Sequence, residues 1–340
     1  MKDLKEAELA QTGRNDRSSP LESIRTHYRN VMDHHFPLGC RVALVDFPNH
    51  GNVGDSAIWL GEQRYFDERK ADIVSVCTKD TYHVETLRSR LGGDGIIAVH
   101  GGGNFGDVWP QHHQFFQKIL HSFPKHKIVQ LPQTVFWSNM ETRAADFAKM
   151  SEHPNLTLFA RDRTSLRILQ KNGRQPAFLC PDSAMFLNLV RPEDPTCDLV
   201  ALMRADKEKG TFELPSPVAT EDWTKDGSDF GFKLARRVQS GLSKCGDGSW
   251  MNQRGLFDFL ADARVKRGCR QIGRGRVVIT DRLHVHILAC LMGIPHVVID
   301  NSYGKLSSFR ECWTHEFPRQ VYLTDPSKVA VALAAVQAMP

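Results

Sequence analysis

No run of about 18 apolar residues, the length a membrane-spanning helix needs, occurs in the 340-residue chain. The richest apolar stretch, HVHILACLMGIPHVVID, is interrupted by histidines, Gly293 and Pro295, so no span is expected. The opening segment MKDLKEAELAQTGRNDRSSP has no apolar core of the kind a secretory signal carries, and a cytoplasmic location, free or peripheral to the inner membrane, is expected. The eight cysteines are scattered, with no CxxC pair and no Cys/His spacing of a zinc site. They read as reduced, mostly buried thiols, and no metal is expected. GxGxxG spacing and a Walker lysine are both absent, which removes dinucleotide and P-loop chemistry. Lysines and arginines are not clustered with aromatics, so a nucleic-acid platform has no support. The net charge of +5 suits an anionic substrate or a phospholipid headgroup surface, although plain soluble enzymes carry the same balance.

What is present is an alternation of β-branched runs with helical stretches. After a polar start and a helix from Pro20 to about His35, the chain reads RVALVDF, DSAIWLGEQRYF, DIVSVC, GIIAVH, QFFQKILHSF, KIVQL, LTLFAR and RTSLRILQKNG. This is the rhythm of a parallel sheet covered by helices. A second series runs from CDLVALM through a helix around LFDFLADAR, the strand VVIT, a helix beginning near Arg282 and the strand HVVI. Between them RPEDPT (191–196) reads as a linker, and 204–250 as a variable insertion. The predicted organisation is a disordered start and first helix (1–36), an N-terminal Rossmann-like domain (37–190), a C-terminal Rossmann-like domain (197–325) and a last helix (326–340). Two such α/β domains usually form a cleft at the carboxyl ends of their strands.

The chemistry-bearing segments fall at those strand ends. In VVITDRLHVHILACLMGIPHVVID, Thr280 or Asp281 can cap a helix whose first turn holds Arg282, with His284 close behind. An arginine at a helix N-terminus makes a phosphate or carboxylate site; alternatively Arg282 pairs with an acid such as Asp281 or Asp300. His284 is a functional candidate, His286 a structural one. In NHGNVGDS, Gly51 and Gly54 allow a tight turn while Asn52 and Asp55 face the space beyond the strand, and Asp55 can serve as the helix cap. HGGGNFGD reads as a glycine-rich turn, in which Gly102, Gly103 and Asn104 imply close approach to a ligand or a neighbouring loop. Arg161, directly after LTLFA, is an anion-ligand candidate, whereas Arg163 reads as a solvated charge. Asp182 is either a cap or hinge residue or a catalytic one.

Taken in order, NHGNVGD, HGGGNFGD, ARDRTSL, PDSAMF, TDRLHVHILACLMGIP and NSYGKLS resemble the polysaccharide pyruvyl transferase family over about 45–310. The resemblance implies two facing Rossmann-like domains similar to the GT-B glycosyltransferase architecture, phosphoenolpyruvate as donor, and no metal or nucleotide cofactor. Its closest flavour is the bacterial exopolysaccharide ketal pyruvyltransferase, which implies a sugar acceptor, free or lipid-linked at the inner membrane face. By motif match Arg282 and His284 contact the donor, with Arg161 a further cationic ligand. A small trianion needs several fixed cations, and Lys305 completes the set. Ketal formation needs an acid for the enol carbon, assigned to His284, and a base for the sugar hydroxyl, assigned to Asp55 ahead of Asp107 and Asp182. The rival readings are a glycosyltransferase using a nucleotide sugar and a non-catalytic carbohydrate-binding assembly subunit.

Overall fold

The computed structural model describes residues 19–204, 220–224, 230–242, 254–300 and 304–339. The start expected to be disordered and most of the expected insertion lie outside them. Ser19 caps the first helix by accepting from the Glu22 amide, and Pro20 occupies its first position, where a missing N–H costs nothing. That helix, α1 (Pro20–Met32), ends a few residues before the expected His35.

The chain then runs β1 (Arg41–Val45), α2 (Val53–Glu68), β2 (Asp72–Cys77), α3 (Val84–Leu91), β3 (Ile96–Val99), β4 (Gly102–Gly106), α4 (Pro110–Ser122), β5 (Lys127–Phe136), α5 (Met140–Ser151), β6 (Leu156–Ala160), α6 (Arg163–Asn172) and β7 (Ala177–Leu179). A 3₁₀ turn at Ser183–Phe186 follows. The second series comprises β8 (Cys197–Leu202), β9 (Thr220–Glu221), α7 (Phe230–Leu242), α8 (Arg254–Gly273), β10 (Gly275–Thr280), α9 (Leu283–Met292), β11 (His296–Ile299), α10 (Lys305–Phe309), β12 (Gln320–Leu323) and α11 (Val329–Gln337).

The strands form two sheets, ordered β2-β1-β3-β5-β6-β7 with β4 also on β5, and β12-β11-β10-β8-β9. All ten described pairings are parallel, which requires crossovers and covers both faces. In β1 the alternation is visible: Val42 and Leu44 join one apolar cluster, Ala43 and Val45 the cluster on the other face. In β10, Val278 and its neighbours Val277 and Ile279 divide in the same way.

Two strand assignments differ from expectation for identifiable reasons. KIVQL is followed by a proline, yet β5 continues through Pro132 to Phe136, because the pairing with β6 is irregular across that position and the pairing with β4 begins only at Gln133, so no ladder donor is needed there. HGGGNFGD, read as a turn, contains a strand. A Cβ at Gly106 would lie 1.8 Å from the Phe136 carbonyl oxygen, so glycine lets β4 close onto β5.

Helix α2 is buried almost all round rather than on one stripe. Trp59, Tyr65 and Phe66 belong to a core cluster on the first sheet, Val53 and Ala57 to a cluster on the second. Helix α8 does the same in reverse, placing Phe257 and Leu260 in the first cluster and Val265 and Ile272 in the other. The Phe257 ring stacks on Phe47 at 4.2 Å, and a Cβ at Gly268 would meet Val53 at 2.4 Å. This packing fixes the N-terminus of α2 beside the strand ends of both sheets. No described helix is long and apolar enough to cross a membrane.

Candidate active site

A cavity of about 390 Å³ opens at these strand ends, within the size range of small-molecule sites. Its lining includes Arg161 from the end of β6, Arg282 and His284 from the end of β10, and Lys305 from the start of α10. Asn52, Asp55, Gly103 and Asn104 line it too. Gly102 does not line the cavity; it lies behind, with φ near 131° and its Cβ position 3.6 Å from an Asp55 carboxylate oxygen.

At the back of the site a single carboxylate joins the two sheets. Asp182 Oδ2 accepts from Arg161 Nη1 at 2.7 Å and from His284 Nε2 at 3.3 Å, while its Oδ1 accepts from the Ala184 amide at 2.9 Å. Asp182 therefore takes the capping role at the 3₁₀ turn while also contacting two cavity residues. Burial alone would raise its pKa, but the His284 charge and hydrogen bond, with Arg161 and the Ala184 amide, hold it well below the usual carboxylate range. Arg161 is further fixed by Nε donating to Thr134 Oγ1 at 2.8 Å. Its carbonyl accepts from Trp313 Nε1 of the second series at 2.8 Å.

With Nε2 held by Asp182, the other His284 nitrogen lies over the first turn of α2. A Cβ at Gly54 would sit 2.2 Å from Nδ1, so the imidazole reaches this place only because residue 54 has no side chain. The cap of α2 is Asn52, which accepts from the Gly54 amide at 3.1 Å; Asp55, the expected cap, instead accepts from Asn52 Nδ2 at 2.8 Å and stands 3.5 Å from His50 Nε2. Burial would raise the Asp55 pKa, but His50, His284, His100 and Arg161 together lower it.

Arg282 is itself the cap residue of α9, in extended conformation, rather than part of its first turn. Thr280 and Asp281, the expected caps, are engaged elsewhere: Thr280 Oγ1 accepts from the Arg282 amide and donates to the Leu202 carbonyl, and Asp281 accepts from the Arg204 amide. Arg282 pairs with Asp222, an acid outside those the sequence suggested. Asp107, one of the alternative bases, is withdrawn by geometry: it accepts from the amides of Ser138 and Asn139 at 2.8 and 3.0 Å and is not in the lining. Arg163 is exposed, as expected, and His286 is buried in hydrogen bonds away from the lining.

Several lining residues had no signal in the sequence. His112 donates Nδ1–H to Asp46 Oδ2 at 2.8 Å, and burial, which would depress its pKa, is outweighed by that carboxylate, which raises it. Asp46 holds φ near 70°, a left-handed conformation at the end of β1. Arg204, Trp109 and Trp223 also contribute. Behind the glycines, Glu62 accepts from His100 Nδ1 at 2.7 Å and from the Gly101 amide at 2.8 Å, fixing the loop that leads into β4.

A family model for polysaccharide pyruvyl transferases matches residues 52–303. The chain belongs to the polysaccharide pyruvyl transferase family. It is 32% identical over 319 residues to pyruvyl transferase 1 of Schizosaccharomyces pombe, covering 88% of this chain and 77% of that protein. EpsO of Bacillus subtilis is 29% identical over 324 residues, covering 92% of this chain and 97% of its own. A solved structure of an uncharacterised Klebsiella pneumoniae protein superposes with a TM-score of 0.60 at 19% identity, covering 89% of this chain and 99% of that one, and shares the fold. The matched region spans every site residue expected from the sequence except Lys305, two positions beyond its end.

The smallest feature of the site offers a direct test of where an anion would sit. A Cβ at Gly103 would lie 3.1 Å from Arg161 Nη2 and 3.3 Å from Lys305 Nζ. Alanine there crowds the Arg161 guanidinium, which Asp182 and Thr134 hold in place, and the Lys305 ammonium, without striking backbone. The expected result for Gly103→Ala is a donor KM raised about tenfold, roughly 1.4 kcal/mol, with an unchanged melting temperature; an unchanged KM would place the anion elsewhere.

Proposed function

We propose that this chain transfers the pyruvyl group of phosphoenolpyruvate to a pair of sugar hydroxyls, forming a pyruvate ketal and releasing phosphate. One observation carries the reading: in a member of this family, Arg161, Arg282 and Lys305 from three separate segments converge with His284 on one cavity. A donor Kd of about 0.1 mM corresponds to roughly −5.5 kcal/mol, and each charge-assisted hydrogen bond nets about 1.5–3 kcal/mol. Three cations therefore supply most of the binding of a small molecule carrying a phosphate and a carboxylate.

In this reading His284, its Nε2–H donated to Asp182, delivers a proton from Nδ1 to C3 of the enol. One sugar hydroxyl adds to C2, phosphate departs, and a second hydroxyl closes the ketal. The two hydroxyl protons need acceptors, and Asp55 and His112, which is backed by Asp46, are lining groups that can take them. The residues named supply the chemistry without a metal or nucleotide. Asn52, Gly103 and Asn104 shape the donor side. We further assign the two sheets to two Rossmann-like domains, 37–190 and 197–325, facing across the cavity as in GT-B enzymes. The acceptor is a sugar of an exopolysaccharide repeat unit, free or lipid-linked at the cytoplasmic membrane face.

The test is incubation of the full chain with phosphoenolpyruvate and a panel of oligosaccharides, reading phosphate release and a pyruvylated product by mass. Phosphate release with no acceptor product, or turnover of a nucleotide sugar instead, overturns the assignment. Arg282→Ala is expected to raise the donor KM about 10- to 150-fold, the equivalent of about 1.5–3 kcal/mol of lost ground-state binding. An unchanged KM removes Arg282 from the donor site.

A further inference from the structure

Outside the cavity, three metal-ligating side chains meet in the body of the second sheet. His286 and Cys290 stand four residues apart on one face of α9, and His296 opens β11 after the left-handed turn at Gly293. His286 Nδ1 lies 2.8 Å from His296 Nε2, and Cys290 Sγ lies 3.7 and 3.8 Å from those same two nitrogens. Both imidazoles are fully buried.

We propose that His286, Cys290 and His296 form a binding site for a thiophilic d¹⁰ ion, Cu(I) or Zn(II). With metal–nitrogen bonds of about 2.0 Å and metal–sulfur bonds of about 2.3 Å, ligand atoms on such an ion are spaced about 3.3–3.6 Å apart for N to N and about 3.6–3.8 Å for N to S. The two sulfur–nitrogen separations already match, and the nitrogen pair needs to part by less than an ångström when an ion replaces the proton between them.

The outer nitrogens are anchored in the manner of metal-bound imidazoles. His296 Nδ1–H donates to the Ile294 carbonyl at 2.8 Å, which leaves Nε2 with its lone pair facing inward. His286 Nε2 lies 2.7 Å from Thr314 Oγ1. On binding, the thiol proton leaves to solvent, and the His286 proton moves from Nδ1 to Nε2, where the threonine hydroxyl accepts it. One thiolate with two neutral imidazoles is a soft set without oxygen ligands. The Arg310 guanidinium acts on all three residues, so a monovalent ion balanced by the thiolate adds less buried charge than a divalent one. Charge therefore favours Cu(I). The ion would tie the C-terminal half of α9 to β11, while the start of the same helix carries Arg282 and His284.

The test uses the full chain, reduced and stripped by a chelator, titrated anaerobically with Cu(I) or with Zn(II) against a chromophoric competitor. One tightly held equivalent of either ion is expected, with one sulfur and two imidazole nitrogens in its X-ray absorption spectrum and a raised melting temperature. Cys290→Ser should weaken the affinity about 100-fold or more, and Thr314→Val, which leaves every ligand in place, about 10- to 100-fold. Cys197→Ser, at the exposed thiol, should change nothing. Absence of a tight equivalent of both ions, or full retention in Cys290→Ser, overturns the site.

Discussion

Alanine in place of His284 is expected to lower kcat by about 10²- to 10⁴-fold, the usual contribution of a positioned proton donor, while the donor KM moves only a few-fold. The reason lies in how the imidazole is held. Asp182 takes Nε2–H, leaving Nδ1 over the first turn of α2. Gly54→Ala provides the sharper version of the experiment, because it removes no chemistry: the added methyl would occupy a point 2.2 Å from Nδ1 and must displace the ring. The expected result is a fall in kcat approaching that of His284→Ala in a protein that still binds donor. Wild-type turnover in both variants would end the assignment of His284 as the acid.

Arg161→Ala should be the most damaging single change to stability at the site. It leaves Asp182, 1% exposed, without its closest partner, and breaking a buried pair from one side costs about 3–5 kcal/mol. His284 and the Ala184 amide remain on the carboxylate, so the lower end of that range is expected. Adding Asp182→Asn to Arg161→Ala should recover part of the stability but none of the activity, and a denaturant double-mutant cycle measures the coupling. Additive losses would show that the two side chains do not depend on each other. The acid limb of stability carries the same signature. Because the folded carboxyl is held below its unfolded value of about 4, its contribution is complete above that pH and disappears as pH falls through the folded value. Asp182→Asn should therefore flatten the loss of stability below about pH 4, read from denaturant midpoints across that range.

The sequence disclosed those parts of the molecule whose physics is local. β1, β2, β3 and β6 announced themselves as short β-branched runs; Arg161 was legible because β6 ends immediately before it, and Arg282 and His284 because they sit at the junction where β10 gives way to α9. Features that depend on a second segment were hidden. β4 looks like a turn until Phe136 is known to press against Gly106. Helices α3 and α5 escaped notice because polar residues break up their few large apolar side chains, and a histidine, His83, caps α3. The partnership of Asp46 and His112 joins residues 66 positions apart, with only the positive φ of Asp46 to mark it, and no sequence pattern reports φ. Asp182 stayed ambiguous for the same reason: its capping role is local, while its hold on Arg161 and His284 is tertiary.

Helices α2 and α8 each place side chains in the interior of both sheets, with Trp59 and Phe257 on one side and Val53 and Val265 on the other. Severing the chain in the 191–196 connector would strip Phe47 of its stacked partner and leave Val53 facing water. Neither fragment would then be a sound folding unit, and heat or denaturant should melt the intact chain in one step. A chimera that borrows the second half of a relative to change sugar preference must carry a matching pair of helices across the seam.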